Sequence, residues 1–260
     1  MKAAVVACGL WFVACAAAPV LAAASGEGEV REQQLASAAE AERRGDPHRA
    51  LELYLEVART GPEQAWVLQK VAQQMSDAAI LDGGGAKQRV RLLEALGYAR
   101  RAVELAPESA VNQLSLAILY GRLAGSGKAS ERLDYVRLIR THAERALELD
   151  PHYAWAHHVL ARWHIEVASI GAAKRALAAV VFGGLPKASR EEALNLLQRA
   201  VELEPEALVH RVELGYAYEE LGSIEEARAQ WLQSLEMENK AVYDEAARAR
   251  AREGLARTRR

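Results

Sequence analysis

Three groups of residues have types and spacing that could support chemistry. Gly121, Gly125, Gly127 and Lys128 look like a phosphate-cradling loop, in which backbone N–H groups and a lysine hold a nucleotide. Arg122 falls where the first glycine of such a loop belongs, and Ala129 replaces the hydroxyl residue that would hold Mg²⁺. The run also follows a helical pattern instead of a strand, so it reads as a flexible insertion between helices, with no nucleotide cofactor. His157, His158 and His164 cluster near Glu166. Helical metal ligands stand three or four residues apart, whereas His157 and His164 lie about 10 Å apart along a helix axis. Arg162, one turn beyond His158, would repel a cation. These histidines read as packing residues, with no metal site. The carboxylate pairs Glu219-Glu220 and Glu225-Glu226 fall at helix surfaces and turns, where solvated charge is their ordinary role. No Ser/His/Asp or Cys/His arrangement stands out, so no catalytic residue is assigned and the chain is not expected to be an enzyme.

The elements that carry these residues follow from composition and periodicity. The 260 residues are 51% hydrophobic but only 6% aromatic, and 33 Lys and Arg balance 35 Asp and Glu. That excludes intrinsic disorder and argues against holding nucleic acid by positive charge alone. Met1-Lys2, an uncharged run over 3–24 and the small residues Ala22-Ala23-Ala24-Ser25 describe a secretory signal peptide, residues 1–24. Its cleavage would leave an exported, periplasmic or secreted chain. An uncleaved anchor and lipid attachment at Cys15 are the other two readings, Phe12 standing against the second. Cys8 and Cys15 both lie in this segment, so the mature chain would hold no disulfide and no thiolate site.

Beyond residue 25 the chain repeats. RAVELAP ends at Pro107, RALELDP at Pro151 and RAVELEP at Pro205, with fainter copies ending at Pro62 and Asn239. Each is the end of an amphipathic helix, stopped by a proline that cannot donate a backbone N–H. Fresh apolar helices begin just after, over 65–75, 110–123, 154–167 and 208–221. The pattern predicts an all-α solenoid of about five helical hairpins, covering 31–64, 65–109, 110–153, 154–207 and 208–240, with a capping helix over 241–257. The prolines are 45, 44 and 54 residues apart, so the middle copies carry insertions over 76–88, 125–131 and 170–190. The third insertion contains a short apolar helix of its own, 172–182.

Leu214, Gly215, Tyr218, Gly222, Ala227, Trp231 and Asn239 closely resemble a tetratricopeptide repeat (TPR). Gly215 and Ala227 are small where two helices cross, Leu214, Tyr218 and Trp231 fill the wedge around them, and Gly222 permits the tight turn. In the third copy Ile139 stands where a small residue is expected. The stretches GRLAGSGKASERLDYVRLIRTHAERALELDP, ARWHIEVASI and FGGLP, within about 89–238, further resemble the regulator of microtubule dynamics family. That resemblance implies a non-catalytic interaction protein; an exported chain would not meet tubulin.

In TPR solenoids one stripe of each first helix lines the concave groove. The resemblance places Trp66, Gln69 and Gln73 there in the second copy, Leu114 and Ile118 in the third, Trp155, His158, Arg162 and Glu166 in the fourth, and Val212, Tyr216 and Glu219 in the fifth. A groove with Trp, Tyr, Arg and His has the composition of a binding surface. The expected partner is a protein or peptide. Two alternatives stay open: Trp66 and Trp155 pack against a neighbouring repeat, and Arg162 with Glu166 forms a local ion pair. The second functional reading is an envelope assembly scaffold acting through the outer surface and the C-terminal helix. Membrane contact is expected only through an uncleaved N-terminus or the arginine-rich C-terminus, residues 248–260.

Overall fold

Helix boundaries in this chain have local causes. Asp46 accepts a hydrogen bond from the Arg49 N–H and Pro47 takes the first turn of its helix, while Ser109 and Ser189 cap two others through the N–H groups of Asn112 and Glu192. Gly222, at φ +80°, makes the turn between the last paired helices. A computed structural model describes residues 17–125, 129–238 and 244–259. Most of the expected export signal, both cysteines, Gly127 with Lys128, Asn239 and the start of the expected cap therefore lie outside the described residues.

Among the described residues the chain is all helical: α1 (Ala17–Arg43), α2 (Pro47–Thr60), α3 (Ala65–Leu81), α4 (Ala86–Leu105), α5 (Ala110–Ala124), α6 (Ala129–Leu149), α7 (Ala154–Ala168), α8 (Ala172–Phe182), α9 (Arg190–Leu203), α10 (Leu208–Glu220), α11 (Ile224–Glu236) and α12 (Asp244–Arg257). None of these is long and apolar enough to cross a membrane. The hairpins are α1/α2, α3/α4, α5/α6, α7/α9 and α10/α11, and each packs on the next. One expected insertion is largely helix. Residues 76–81 prolong α3, because Ser76, Ala78 and Ala79 have a face to bury, and only 82–85 remain as a turn.

First helices also pack on the first helices of neighbouring hairpins, α3 on α5, α5 on α7 and α7 on α10, and α10 packs on α12. No second helix packs comparably on another among the described residues. A stack that touches along one layer and splays along the other is curved, with the touching layer inside. The first helices therefore form the concave face.

Alanine makes the hairpins close. Ala50, Ala72, Ala95, Ala99, Ala117, Ala143, Ala161, Ala193, Ala217 and Ala227 are sealed from solvent at these crossings, allowing helix axes to approach to about 8–10 Å. Buried Ile139 on α6 faces Gly121 on α5, where an added Cβ would lie 3.9 Å from its Cδ1.

The last hairpin is closed by Trp231, which is fully buried and donates from Nε1 to the Val212 carbonyl at 3.1 Å. Its indole fills a slot between Gly215 on α10 and Gly254 on α12; a Cβ on Gly254 would sit 2.7 Å from the ring. Gly254→Ala should therefore destabilise the protein by about 1–3 kcal/mol through overpacking. Gly97→Ala, on an exposed face of α4 with nothing within 4 Å, should stabilise it by about 0.5–1 kcal/mol. Urea unfolding of the two variants checks the opposite signs.

Candidate functional site

The inner face carries two kinds of residue, divided by which way each points around its helix. One kind ties first helices together. Glu42 on α1 receives hydrogen bonds from Lys70 Nζ at 2.7 Å, Gln73 Nε2 at 3.3 Å and the Tyr54 hydroxyl at 3.1 Å. Buried Gln69 donates to Ser115 on α5 at 3.0 Å and to Gln73 at 3.4 Å. The other kind stays in solvent: Trp66 is 48% exposed, and Arg162 and Glu166 are exposed and paired with each other at 2.9 Å. Gln69, Gln73 and His158 are thus occupied between helices, while Trp66, Arg162 and Glu166 are presented outward.

Trp155 behaves differently from Trp66. Its ring packs edge-on to His210 of the next hairpin, with centroids 4.7 Å apart, and lies 5.3 Å from the His158 ring. Beneath it His158 Nδ1 and His210 Nδ1 are 2.9 Å apart, and His210 Nε2 is 3.4 Å from a Glu204 carboxylate oxygen. One tautomer set satisfies both contacts: His158 donates from Nδ1, and His210 accepts at Nδ1 and donates from Nε2. Burial holds both imidazoles neutral by lowering their pKa values, His158 well below the ordinary value. At His158 the second ring, Arg162 and Arg250 reinforce that shift, whereas Glu204 and Glu213 oppose it at His210.

One helical turn away, Glu213 is buried and ion-paired to Arg250 of α12, with Arg162 Nε at 4.0 Å. Arg250 also lies over the Tyr216 ring at 4.6 Å, the Tyr216 hydroxyl donates to the Arg250 carbonyl at 2.9 Å, and Arg257 pairs with Glu219 at 2.6 Å. The fifth-copy positions Tyr216 and Glu219 are therefore engaged by α12, which closes the far end of the concave face.

His210, Glu213 and Arg250 have no place in the stripe of first-helix positions. His210 and Glu213 sit one residue beyond Val209 and Val212 in the repeat register, on the flank that turns back to the preceding hairpin. A periodic reading aimed at the groove passes over that flank. Arg211 stands between His210 and Glu213, and Glu219 and Glu220 follow on the same helix, so their spacing alone carries no signal. Among the described residues no group of three His, Cys, Asp or Glu could hold a metal ion. His164 serves packing, accepting the Ser189 N–H at Nδ1 across 3.2 Å, and Trp163 donates to the Val136 carbonyl at 2.7 Å.

Residues 33–259 match the family described as regulator of microtubule dynamics protein 1-3. Regulator of microtubule dynamics protein 1 of Bos taurus is 31% identical over 55% of this chain and 45% of its own length. Regulator of microtubule dynamics protein 3 of Rattus norvegicus is 30% identical over 64% of this chain and 35% of its own. The chain thus spans less than half the length of these curated relatives. The crystal structure of a thermophilic TPR protein in Thermus thermophilus superposes with a TM-score of 0.64 at 20% identity, covering 87% of this chain and 99% of that one. That likeness is one of fold.

The histidine pair sets a pH dependence. Because the folded pKa values are depressed, the unfolded chain takes up protons first as pH falls below about 6.5, and stability is lost from there downward. Each histidine contributes at most about 1.4 kcal/mol per pH unit below that point. His142 and His164, also lowered by burial first, add to the slope. His158→Asn, which keeps a donor for His210, should make the fall in melting temperature between about pH 7.5 and 5.5, the range that brackets the ordinary histidine pKa, visibly shallower. An unchanged slope would show that the pair does not stay neutral.

Proposed function

The chain belongs to the regulator of microtubule dynamics protein 1-3 family, and on that premise we propose that it binds a protein or peptide partner in the concave face between α1 and α7. The family and its TPR-like fold are non-catalytic. The observation that carries the proposal is the outward set Trp66, Arg162 and Glu166. Trp66 is a large aromatic side chain left half in water on the inner layer of a curved stack. Aromatic and arginine side chains are the residues most enriched where binding energy concentrates. Around them, Gln69, Gln73, Ser115 and Glu42 hold neighbouring first helices in fixed register, so the surface is preorganised before a partner arrives.

Several features support this reading over assembly through the C-terminal helix. Gly254 and Leu255 of α12 lie buried in the Trp231 cluster, and Arg250 and Arg257 engage Glu213 and Glu219. One face of that helix is thereby engaged within the chain. The curated relatives are named for microtubule dynamics. The basic start, uncharged run and small-residue exit of residues 1–24 support an exported chain and hence a partner other than tubulin.

Crosslinking the wild-type protein in cells and identifying the recovered partner by mass spectrometry supplies the ligand for a binding titration. Trp66→Ala combined with Arg162→Ala should weaken that binding at least tenfold, or about 1.4 kcal/mol, with helicity and melting temperature nearly unchanged because both residues are exposed and Arg250 still pairs with Glu213 when Arg162 is removed. Undiminished binding would remove the partner from this face.

A further inference from the structure

The insertion between α7 and α9 presents a helix with most of its surface in solvent. One of its two charged side chains turns inward: Arg175 donates from Nε to the Ile170 carbonyl at 2.9 Å and from Nη2 to the Val167 carbonyl, closing the C-terminal end of α7. The apolar side chains that should face the protein point outward. Leu177 is 63% exposed, Val180 86% and Val181 56%, and Ala173 and Ala176 before them are exposed too. At about 100° per residue, positions 173, 177, 180 and 181 fall within one quadrant or so of the helix. They form a single crest.

The crest is held up from both sides. Arg175 fixes its start, and the Ser189 N–H donates to His164 where the insertion rejoins the hairpin. Gly171 and the left-handed Gly183 and Gly184 make the corners. α8 is therefore presented by the fold, and its exposed face is covered by no other helix among those described.

Charge selects what the crest can meet. From Val167 to Arg190 the chain has no Asp or Glu, and it carries Lys174, Arg175, Lys187 and Arg190. Arg175 and Arg190 are engaged, the latter with Glu220 at 2.8 Å, whereas Lys174 beside the crest and Lys187 beyond it are exposed. A second copy fits poorly, because a crest of three large apolar side chains on a helix of eleven residues offers far less than the ~800 Å² per partner of a stable dimer. A lipid surface asks only for shallow insertion of a few apolar side chains with lysines at headgroup level. We propose that α8 docks this protein on an anionic lipid bilayer, with Leu177, Val180 and Val181 entering the interfacial layer and Lys174 and Lys187 meeting headgroup phosphates.

The test is co-sedimentation of the full chain with vesicles of phosphatidylcholine alone or mixed with phosphatidylglycerol. Binding should require the anionic lipid and weaken with added salt. Leu177→Asp with Val180→Asp should lower the partition at least tenfold, and Lys174→Glu with Lys187→Glu should lower it severalfold, with thermal stability unchanged. A Val180→Trp variant supplies a positional readout: brominated acyl chains should quench the new fluorescence beyond any quenching of the parent. Absence of that extra quenching would overturn the proposal even if another segment, such as residues 1–24, carried the protein to vesicles. Light scattering that finds a dimer abolished by the Asp substitutions would assign the crest to a second copy instead.

Discussion

A helical hairpin of this kind cannot cover both of its apolar flanks, so each one is completed by its neighbour and the last must be completed by something else. The small residues, the curvature and the C-terminal helix all follow from that constraint. Close covering needs short side chains at the crossings, which is why so much of the buried surface is alanine and so little is aromatic. Contact concentrates along the first helices, so the stack bends and acquires an inside. Beyond the α10/α11 hairpin the open flank is closed by α12 over Trp231, a large ring admitted only because Gly215 and Gly254 leave room on both sides.

The periodic part of this solution is legible in the chain. Prolines after RAVELAP-like segments mark helix ends because their chemistry forbids continuation, and the Gly215, Ala227 and Trp231 set marks a crossing because volume must balance there. Less legible are departures from the pattern. Ile139 is buried on α6 although the repeat asks for a small residue there. The extra turns at the end of α3 depend on burial of Ser76, Ala78 and Ala79, which a repeat length cannot register. The histidine pair joins residues 52 positions apart, and the Glu213–Arg250 pair joins residues 37 apart. Neither contact lies within one repeat, so no feature of a single copy announces it.

Equivalent register also leaves the role of a side chain undecided. Trp66 and Trp155 each stand four residues after a proline stop, yet Trp155 is drawn down onto His210 and Trp66 is left in water. The difference comes from the next hairpin. The residue that corresponds to His210 beside Trp66 is Asn112, and its amide is already committed to the carbonyls of Ala102 and Ala106 at the end of α4. With no ring to pack against, Trp66 remains available. An aromatic side chain on such a solenoid is thus left exposed by what its neighbour lacks.

Polar groups at the α7/α10 junction are accommodated in two ways that have different consequences. Two imidazoles joined by a single N–H···N bond are neutral, so they can be sealed under Trp155 with no counter-ion, as long as the pair takes up no further proton. Glu213 is charged, and a buried carboxylate without a cation would cost several kcal/mol, on the order of the penalty for any unpaired buried ion. It therefore sits at the edge, where Arg162 reaches it from α7 and Arg250 from α12. That requirement draws the C-terminal helix across the inner face and fixes Tyr216 and Glu219 beneath it. The buried charge that secures the end of the solenoid also sets the length of open groove, which runs from Trp66 to Arg162 and stops there.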